Sequence, residues 1–366
     1  QNRQSDRLDA LLDDTFAILL KTSEVPGNRE LDLHPCVRAL GPHGTFGLKG
    51  MVCVIGGASR GIGQGIAIRF AKSGAKVCIL GRSDGLVRTG PGTLSDVVAQ
   101  IERHGGEAMA VQCDLTQPEQ VREAVSKIIK AHGRVDVLVN NASALYPMGV
   151  EEIDERRFNL MNDVCVRGAF LLTRQILPHM AASTCAHVLT VAPAPIADKA
   201  WVGPYTCYAA TKLGMGMLAA AWSVEFPHVH FNTLWPRKIV ATFAVTNTIN
   251  ADLDHAVTVA HMADPAYRIV TSDVTAHFYL DTDVLADMGI RDRSAWQVKS
   301  SSREIYDDFM IEPLEVRAGQ HVGYMPLPVV GVGASTLQQV LIVGHNEVTA
   351  EMERLLKQTG GIHHQR

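Results

Sequence analysis

The run Val52-Cys53-Val54-Ile55-Gly56-Gly57-Ala58-Ser59-Arg60-Gly61-Ile62-Gly63 constrains the fold of this 366-residue chain more than any other stretch. A short, β-branched apolar segment breaks at glycines and passes directly into a helical pattern, Gln64-Gly65-Ile66-Ala67-Ile68-Arg69-Phe70-Ala71. The first part reads as a strand. Gly57, Gly61 and Gly63 let the backbone turn tightly and approach a ligand closely. The helix that follows opens with unsatisfied N–H groups and the positive end of its dipole. Strand, glycine turn and helix N-terminus together suit a dinucleotide pyrophosphate, which a glycine cluster alone would not establish. Gly57, Ser59, Arg60, Gly61, Ile62 and Gly63 are therefore the first candidate cofactor-binding residues.

Downstream, strand and helix patterns alternate. Strands are expected near 51–55, 76–80, 107–112, 135–140, 186–191, 229–234 and 276–280. Helices are expected near 63–72, 93–104, 118–132, 154–182, 205–226 and 251–262. Alternation of this kind predicts a doubly wound, seven-stranded parallel sheet with helices on both faces. Val135-Asp136-Val137-Leu138-Val139 is almost continuously apolar, as a strand covered on both faces requires. The expected organisation is an N-terminal extension over 1–47, one α/β domain over 48–312 and a C-terminal extension over 313–366.

Leu8, Leu11, Leu12, Phe16, Leu19 and Leu20 recur at helical spacing in the first extension, an amphipathic face that would pack on its own domain or dock to another protein. With 46% apolar residues the chain can bury a large core, and a net charge of −4 argues against a nucleic-acid partner. No apolar run reaches membrane-span length. The seven cysteines show no C-x-x-C pair or framework spacing, so buried reduced thiols are expected. The terminal His363-His364 reads as a solvated tail, because a metal site needs three or four convergent ligands.

Arg60 lies inside the glycine turn and Arg82 follows the second strand. At that strand end an acidic residue would accept from a ribose 2′-OH, whereas arginine accommodates a 2′-phosphate, so the pair favours NADP(H) over NAD(H). Asp114, after the third strand, would accept from an adenine amine or cap a turn. Asn140-Asn141-Ala142 ends the fourth strand with small and amide residues that allow close backbone approach. Tyr208 and Lys212, four apart on a helix, share one face. A neighbouring ammonium stabilises a phenolate, and such a pair can exchange a proton with an alcohol oxygen while hydride moves at carbon.

Gly57-x-x-x-Gly61-x-Gly63, Asn140-Asn141-Ala142 and Tyr208-x-x-x-Lys212 together resemble the short-chain dehydrogenase/reductase family over roughly residues 48–290. The resemblance implies a single Rossmann-type domain, an oligomeric state and a nicotinamide cofactor. It assigns catalysis to Tyr208 and Lys212. It places Leu115, Asn140, Ala142, Pro236 and Ile239 beside the cofactor with the residues already named. Relatives in the subgroup this chain most resembles are associated with peroxisomes, mitochondria and lipid metabolism.

The chain also departs from the family pattern. Gly56 stands where a threonine is usual, and Ser143 where the fourth-strand motif usually ends in glycine. In the resembling family a tetrad of Asn, Ser, Tyr and Lys carries the chemistry. Here Cys165 holds the Asn position and Ala192 or Pro193 the Ser position, with Thr190 the nearest hydroxyl. Two expectations follow. One is an NADP(H)-binding protein with weak or lost activity, serving as a structural or regulatory subunit through residues 1–47 and the tail. The other is an active NADP(H)-dependent oxidoreductase on a lipid-like alcohol or carbonyl. A homo-oligomer is expected in either case. The expected compartment is mitochondrial, with peroxisomal and cytosolic alternatives.

Overall fold

The computed structural model describes residues 47–82, 92–183, 185–194, 203–249 and 253–288. The described residues all fall within Gln1–Leu327, the first of two units of the chain. The amphipathic pattern at 8–20 and the tail from 313 lie outside the described residues.

Strands β1 (Val52–Gly56), β2 (Lys76–Gly81), β3 (Glu107–Gln112), β4 (Val137–Asn140), β5 (His187–Thr190), β6 (His230–Trp235) and β7 (His277–Leu280) form one parallel sheet. Their order is β3-β2-β1-β4-β5-β6-β7. Helices α1 (Gly61–Lys72), α2 (Leu94–Arg103), α3 (Pro118–His132), α4 (Glu155–Met161), α5 (Gly168–Ile176), α6 (Thr206–Glu225), α7 (Ala260–Val270) and α8 (Asp281–Asp287) accompany it. Each strand matches its expected position within one or two residues.

The period of two along each strand explains both cores. Cys53 and Ile55 of β1, Val77 and Ile79 of β2 and Val137 and Val139 of β4 join the apolar cluster that includes α1 and α7. Val52, Val54, Cys78, Leu80 and Leu138 point the other way, into the cluster with α3 and α5. A strand buried on both faces must be apolar at every position, which is why β1 reads as a continuous run. Cys53, Cys78, Cys113, Cys165 and Cys207 are buried free thiols, as expected. Cys185 is disulfide-bonded, against the expectation of reduced thiols throughout.

Two helices differ from expectation. The span 154–182 is not one helix: α4 runs into a π-helical turn, Asn162–Arg167, before α5, and a 3₁₀ turn, Leu177–His179, ends it at Pro178. Pro178 lacks the N–H that an α-helix would use there. The helix expected at 251–262 instead occupies Ala260–Val270. Val257 is held in a parallel bridge to Val240, its N–H donating to Ile239 and its carbonyl accepting from Ala241. That bridge keeps the chain extended and delays the helix.

α7 is fastened to α1 by a largely buried ion pair, Arg69 Nε to Asp264 Oδ1 at 2.7 Å, with the guanidinium stacked 3.8 Å over the Tyr267 ring. The helix that opens at the glycine turn is therefore fixed at its last turn. β1 has β2 on one side and β4 on the other, so successive crossovers leave it in opposite directions. A crevice opens at the carboxyl ends of strands at such a switch point.

Candidate functional site

A cleft of about 450 Å³ occupies that crevice, within the usual range for small-ligand sites. Gly57, Ser59, Arg60, Gly61, Ile62, Arg82, Asp114, Leu115, Ala142, Tyr208, Lys212 and Pro236 all line it. These residues come from six parts of the chain, which meet there because every one follows, or lies beside, the carboxyl end of a strand.

The floor is the glycine turn. Gly57 has φ +73°, and a Cβ there would lie 2.7 Å from the Cα of Ala142. A side chain would thus be strained and would also push the two strand ends apart. The Asn141 amide donates to the carbonyls of Gly57 at 2.9 Å and Gly56 at 3.2 Å, tying β1 to the end of β4. A Cβ on Gly63 would strike that same amide and the Gly57 carbonyl. Gly63 therefore allows α1 to approach the turn, and does not itself line the cleft. At the N-terminus of α1 no side chain of Arg60 caps the helix, and its first turn holds no acidic residue. The positive end of the helix is left to face the cleft.

Arg60 and Arg82 gather positive charge at one end. Burial lowers the Arg60 guanidinium below its ordinary range, and the Arg82 charge lowers it further. Arg60 lies 5.1 Å from the centre of the Phe243 ring, a residue of the far wall that the sequence did not suggest. Two like charges brought together at a cleft suit an anion with more than one charge. Asp114 Oδ1 accepts from the Thr116 N–H at 2.9 Å and its hydroxyl at 2.8 Å, so the turn-capping role is present while the residue still borders the cleft. Beside it, Cys113 is held as a thiol: burial first, and then Asp114, push it up to about 12.

Tyr208 and Lys212 form the opposite end. Both are buried on α6, at 5% and 2% exposure. Lys212 Nζ donates to the Val191 carbonyl at 3.1 Å and sits 5.5 Å from the centre of the Trp235 ring. A carbonyl and an aromatic face both suit a buried ammonium. The cleft is also lined by Leu145, Tyr146, Leu160, Val164 and Val245.

The departures at the Asn and Ser positions of the tetrad meet in space. Cys165, Ala192 and Met215 pack with Ala169 in one apolar cluster, and both Cys165 and Ala192 have 0% exposure. The Cys165 thiol, placed by the π-helical turn, lies 3.4 Å from the Ser143 hydroxyl and accepts from the Ala144 N–H at 3.5 Å. Thr190 is buried inside β5 and does not reach the cleft.

Asn140 and Ile239 also stay out of the cleft. The Asn140 amide turns toward α5 and donates to the Thr173 hydroxyl at 2.9 Å, because the alternation that turns it inward gives the cleft to its neighbour Asn141. Ile239 packs in a small separate cluster with Ala241, Leu253 and Ala256, and Val240 faces the cleft instead. Asn141 lay inside the quoted motif and was legible in it. Phe243, Thr242 and Thr248 carried no local signal.

The family described as short chain dehydrogenase matches residues 51–252. The hydroxysteroid dehydrogenase-like protein 2 of Xenopus laevis is 31% identical over 278 residues, covering 75% of this chain and 67% of the relative. A short chain dehydrogenase structure from Mycobacterium thermoresistibile is 34% identical with a TM-score of 0.68, covering 72% of this chain and 96% of that one. A metagenomic short-chain oxidoreductase, solved in complex with NADP, is 25% identical with a TM-score of 0.53 and covers 64% and 97%.

Proposed function

The chain belongs to the short-chain dehydrogenase family, and on that premise we propose that it is an NADP(H)-binding member whose oxidoreductase activity is weak or lost. The observation that carries this reading is the apolar packing of Cys165, Ala192 and Met215 at the Tyr208 end of the cleft. In the resembling family a serine at the place of Ala192 or Pro193 would hold a substrate oxygen and share charge as its proton moves, and neither residue supplies a hydroxyl. Losing one such donor typically costs about 2.7–4 kcal/mol, or roughly 10²–10³ in rate. An asparagine amide can hold water beside a lysine far better than a thiol can.

For the cofactor, support comes from the glycine turn, the uncapped start of α1 and the Arg60–Arg82 pair. These residues would hold the pyrophosphate and a 2′-phosphate, and the related metagenomic enzyme was solved with NADP. Lys212 and Tyr208 would hold the nicotinamide ribose. When bound, the nicotinamide group supplies hydride exchange at carbon.

A role as a structural or regulatory subunit goes with this reading, with residues 1–47 and the C-terminal tail as the contact segments and the mitochondrial matrix as the compartment. Phe158, Phe170, Met217 and Val224 are exposed apolar side chains on α4, α5 and α6, and support self-association as well. Among the described residues no helix is long and apolar enough to cross a membrane. The second reading, an active oxidoreductase on a lipid-like alcohol or carbonyl, is favoured by Tyr208 and Lys212 sharing the cleft with Leu145, Leu160, Val164 and Val245. Here Tyr208 would hand a proton to the substrate oxygen while Lys212 keeps its phenolate accessible.

Single-turnover assays with NADPH and a panel of apolar carbonyls separate the two readings. The first expects cofactor binding without oxidation. Oxidation of bound NADPH that disappears in Tyr208→Phe establishes the second. Deletion of residues 1–47 tests the subunit role: partners should be lost while NADPH still binds, and unchanged co-purification contradicts it.

A further inference from the structure

The wall of the cleft beside Lys212 is held from behind by a buried carboxylate. Trp235, which faces Lys212, is the last residue of β6 paired in the sheet, opposite Leu280. Pro236 lines the cleft and has no N–H to give. One residue further, the Arg237 N–H lies beyond the ladder and donates to Asp281 Oδ1 at 2.8 Å. The same oxygen accepts from the Thr282 N–H at 2.6 Å. The other oxygen, Oδ2, lies 2.7 Å from His261 Nδ1 near the start of α7. Arg237 Nε also donates to the Thr282 hydroxyl at 3.2 Å.

Asp281 and His261 have 0% exposure, and neither lines the cleft. A carboxylate removed from water so completely is retained only where several donors hold it. Here those donors come from three segments: the strand end that forms the cleft wall, α7 and α8. α7 is itself fixed to the last turn of α1 by Arg69 and Asp264, so the anchor rests on a helix that is held in place.

We propose that Asp281, oriented by His261, is a positioning residue that sets the Trp235–Pro236 wall against the nicotinamide half of the bound cofactor. The proposal rests on the NADP(H) reading. It concerns only the Lys212 end, because Arg60 and Arg82 at the far end belong to other segments.

The test compares two ligands in the full chain by calorimetry: NADPH, and adenosine 2′,5′-bisphosphate, which reaches only the arginine end. Asp281→Ala is expected to weaken NADPH by about tenfold or more, with the bisphosphate within about twofold of the parent. Asp281→Asn keeps one oxygen for both N–H donors and is expected to restore most of the loss. Hydrogen exchange without ligand should quicken over 235–240 in Asp281→Ala and stay unchanged over 52–63. Should Asp281→Ala not fold, His261→Leu carries the same expectation at about threefold. Equal loss of both ligands, or unchanged NADPH affinity, overturns the proposal. If the parent binds neither ligand, the NADP(H) reading fails, and exchange over 235–240 alone decides whether Asp281 holds the wall.

Discussion

Lys212 Nζ donates to the backbone carbonyl of Val191 at 3.1 Å, one residue before Ala192. The lysine is thus pinned to the strand end that would present a serine in the resembling family. Its ammonium is positioned by backbone and by the Trp235 ring, so its place does not depend on a hydroxyl at 192. A cofactor role can therefore survive where the substrate-binding hydroxyl is absent. Lys212→Met should keep the fold, because methionine follows much the same path through the core. It should weaken NADPH by about tenfold. Isothermal titration checks this, and equal affinities would remove Lys212 from the cofactor site.

Arg82→Asp should discriminate between cofactors. Reversing the charge next to Arg60 leaves a carboxylate that repels a 2′-phosphate and accepts from a ribose 2′-OH. NADPH should weaken by about tenfold or more while NADH holds or tightens. Parallel titrations of both cofactors measure this, and equal losses would contradict the assignment.

Restoring polarity in the Cys165–Ala192 cluster should raise turnover. Ala192→Ser places a hydroxyl at one of the two positions, Ala192 and Pro193, that match the family's serine, and Cys165→Asn returns an amide to the π-helical turn. The double variant should gain roughly 10²-fold in NADPH-dependent carbonyl reduction over a barely active parent. Since residues of one catalytic unit act non-additively, the single variants should gain less than their share. Steady-state kinetics on both singles and the double provide the check. A folded double variant with no gain would mean that more than these two groups has been lost.

The sheet was legible because burial on both faces forces unbroken apolar runs, and glycines mark the one turn that must be tight. Most of the cleft was legible for a related reason: ligand-facing residues follow strand ends, and strand ends are visible. Asn140 and Asn141 show where this stops, since a strand boundary uncertain by one residue exchanges the side chain facing the cleft for the one facing α5. Ile239 and Val240 differ in the same way: with the bridge between Val240 and Val257, a contact with no local signature, Val240 lines the cleft and Ile239 packs away from it. Phe243 and Asp281 were invisible because their roles depend on residues distant in sequence, Arg60 and Arg237.

Stability should fall in alkali. Burial chiefly pushes Cys78 and Cys113 from 9.0 up to about 12, and raises Cys53 well above 9.0. An unfolded chain would release these protons first, so above pH 9 the folded state binds more of them and each further rise favours unfolding. The contribution is fully present below the unfolded value and is lost as pH rises toward about 12. Melting temperature should thus be level near pH 8 and decline beyond 9, less steeply in Cys78→Ala. A decline as steep in that variant as in the parent would contradict the assignment.

Whether cofactor binding has outlived catalysis is decided by one paired measurement. NADPH is titrated into the protein by nicotinamide fluorescence, and oxidation of the bound cofactor is then followed with a panel of apolar carbonyls. Saturable binding is expected, with turnover well below about 1 s⁻¹, the low end of ordinary enzyme rates. Turnover above about 1 s⁻¹ that is abolished by Tyr208→Phe, or no binding of NADPH at all, would contradict it.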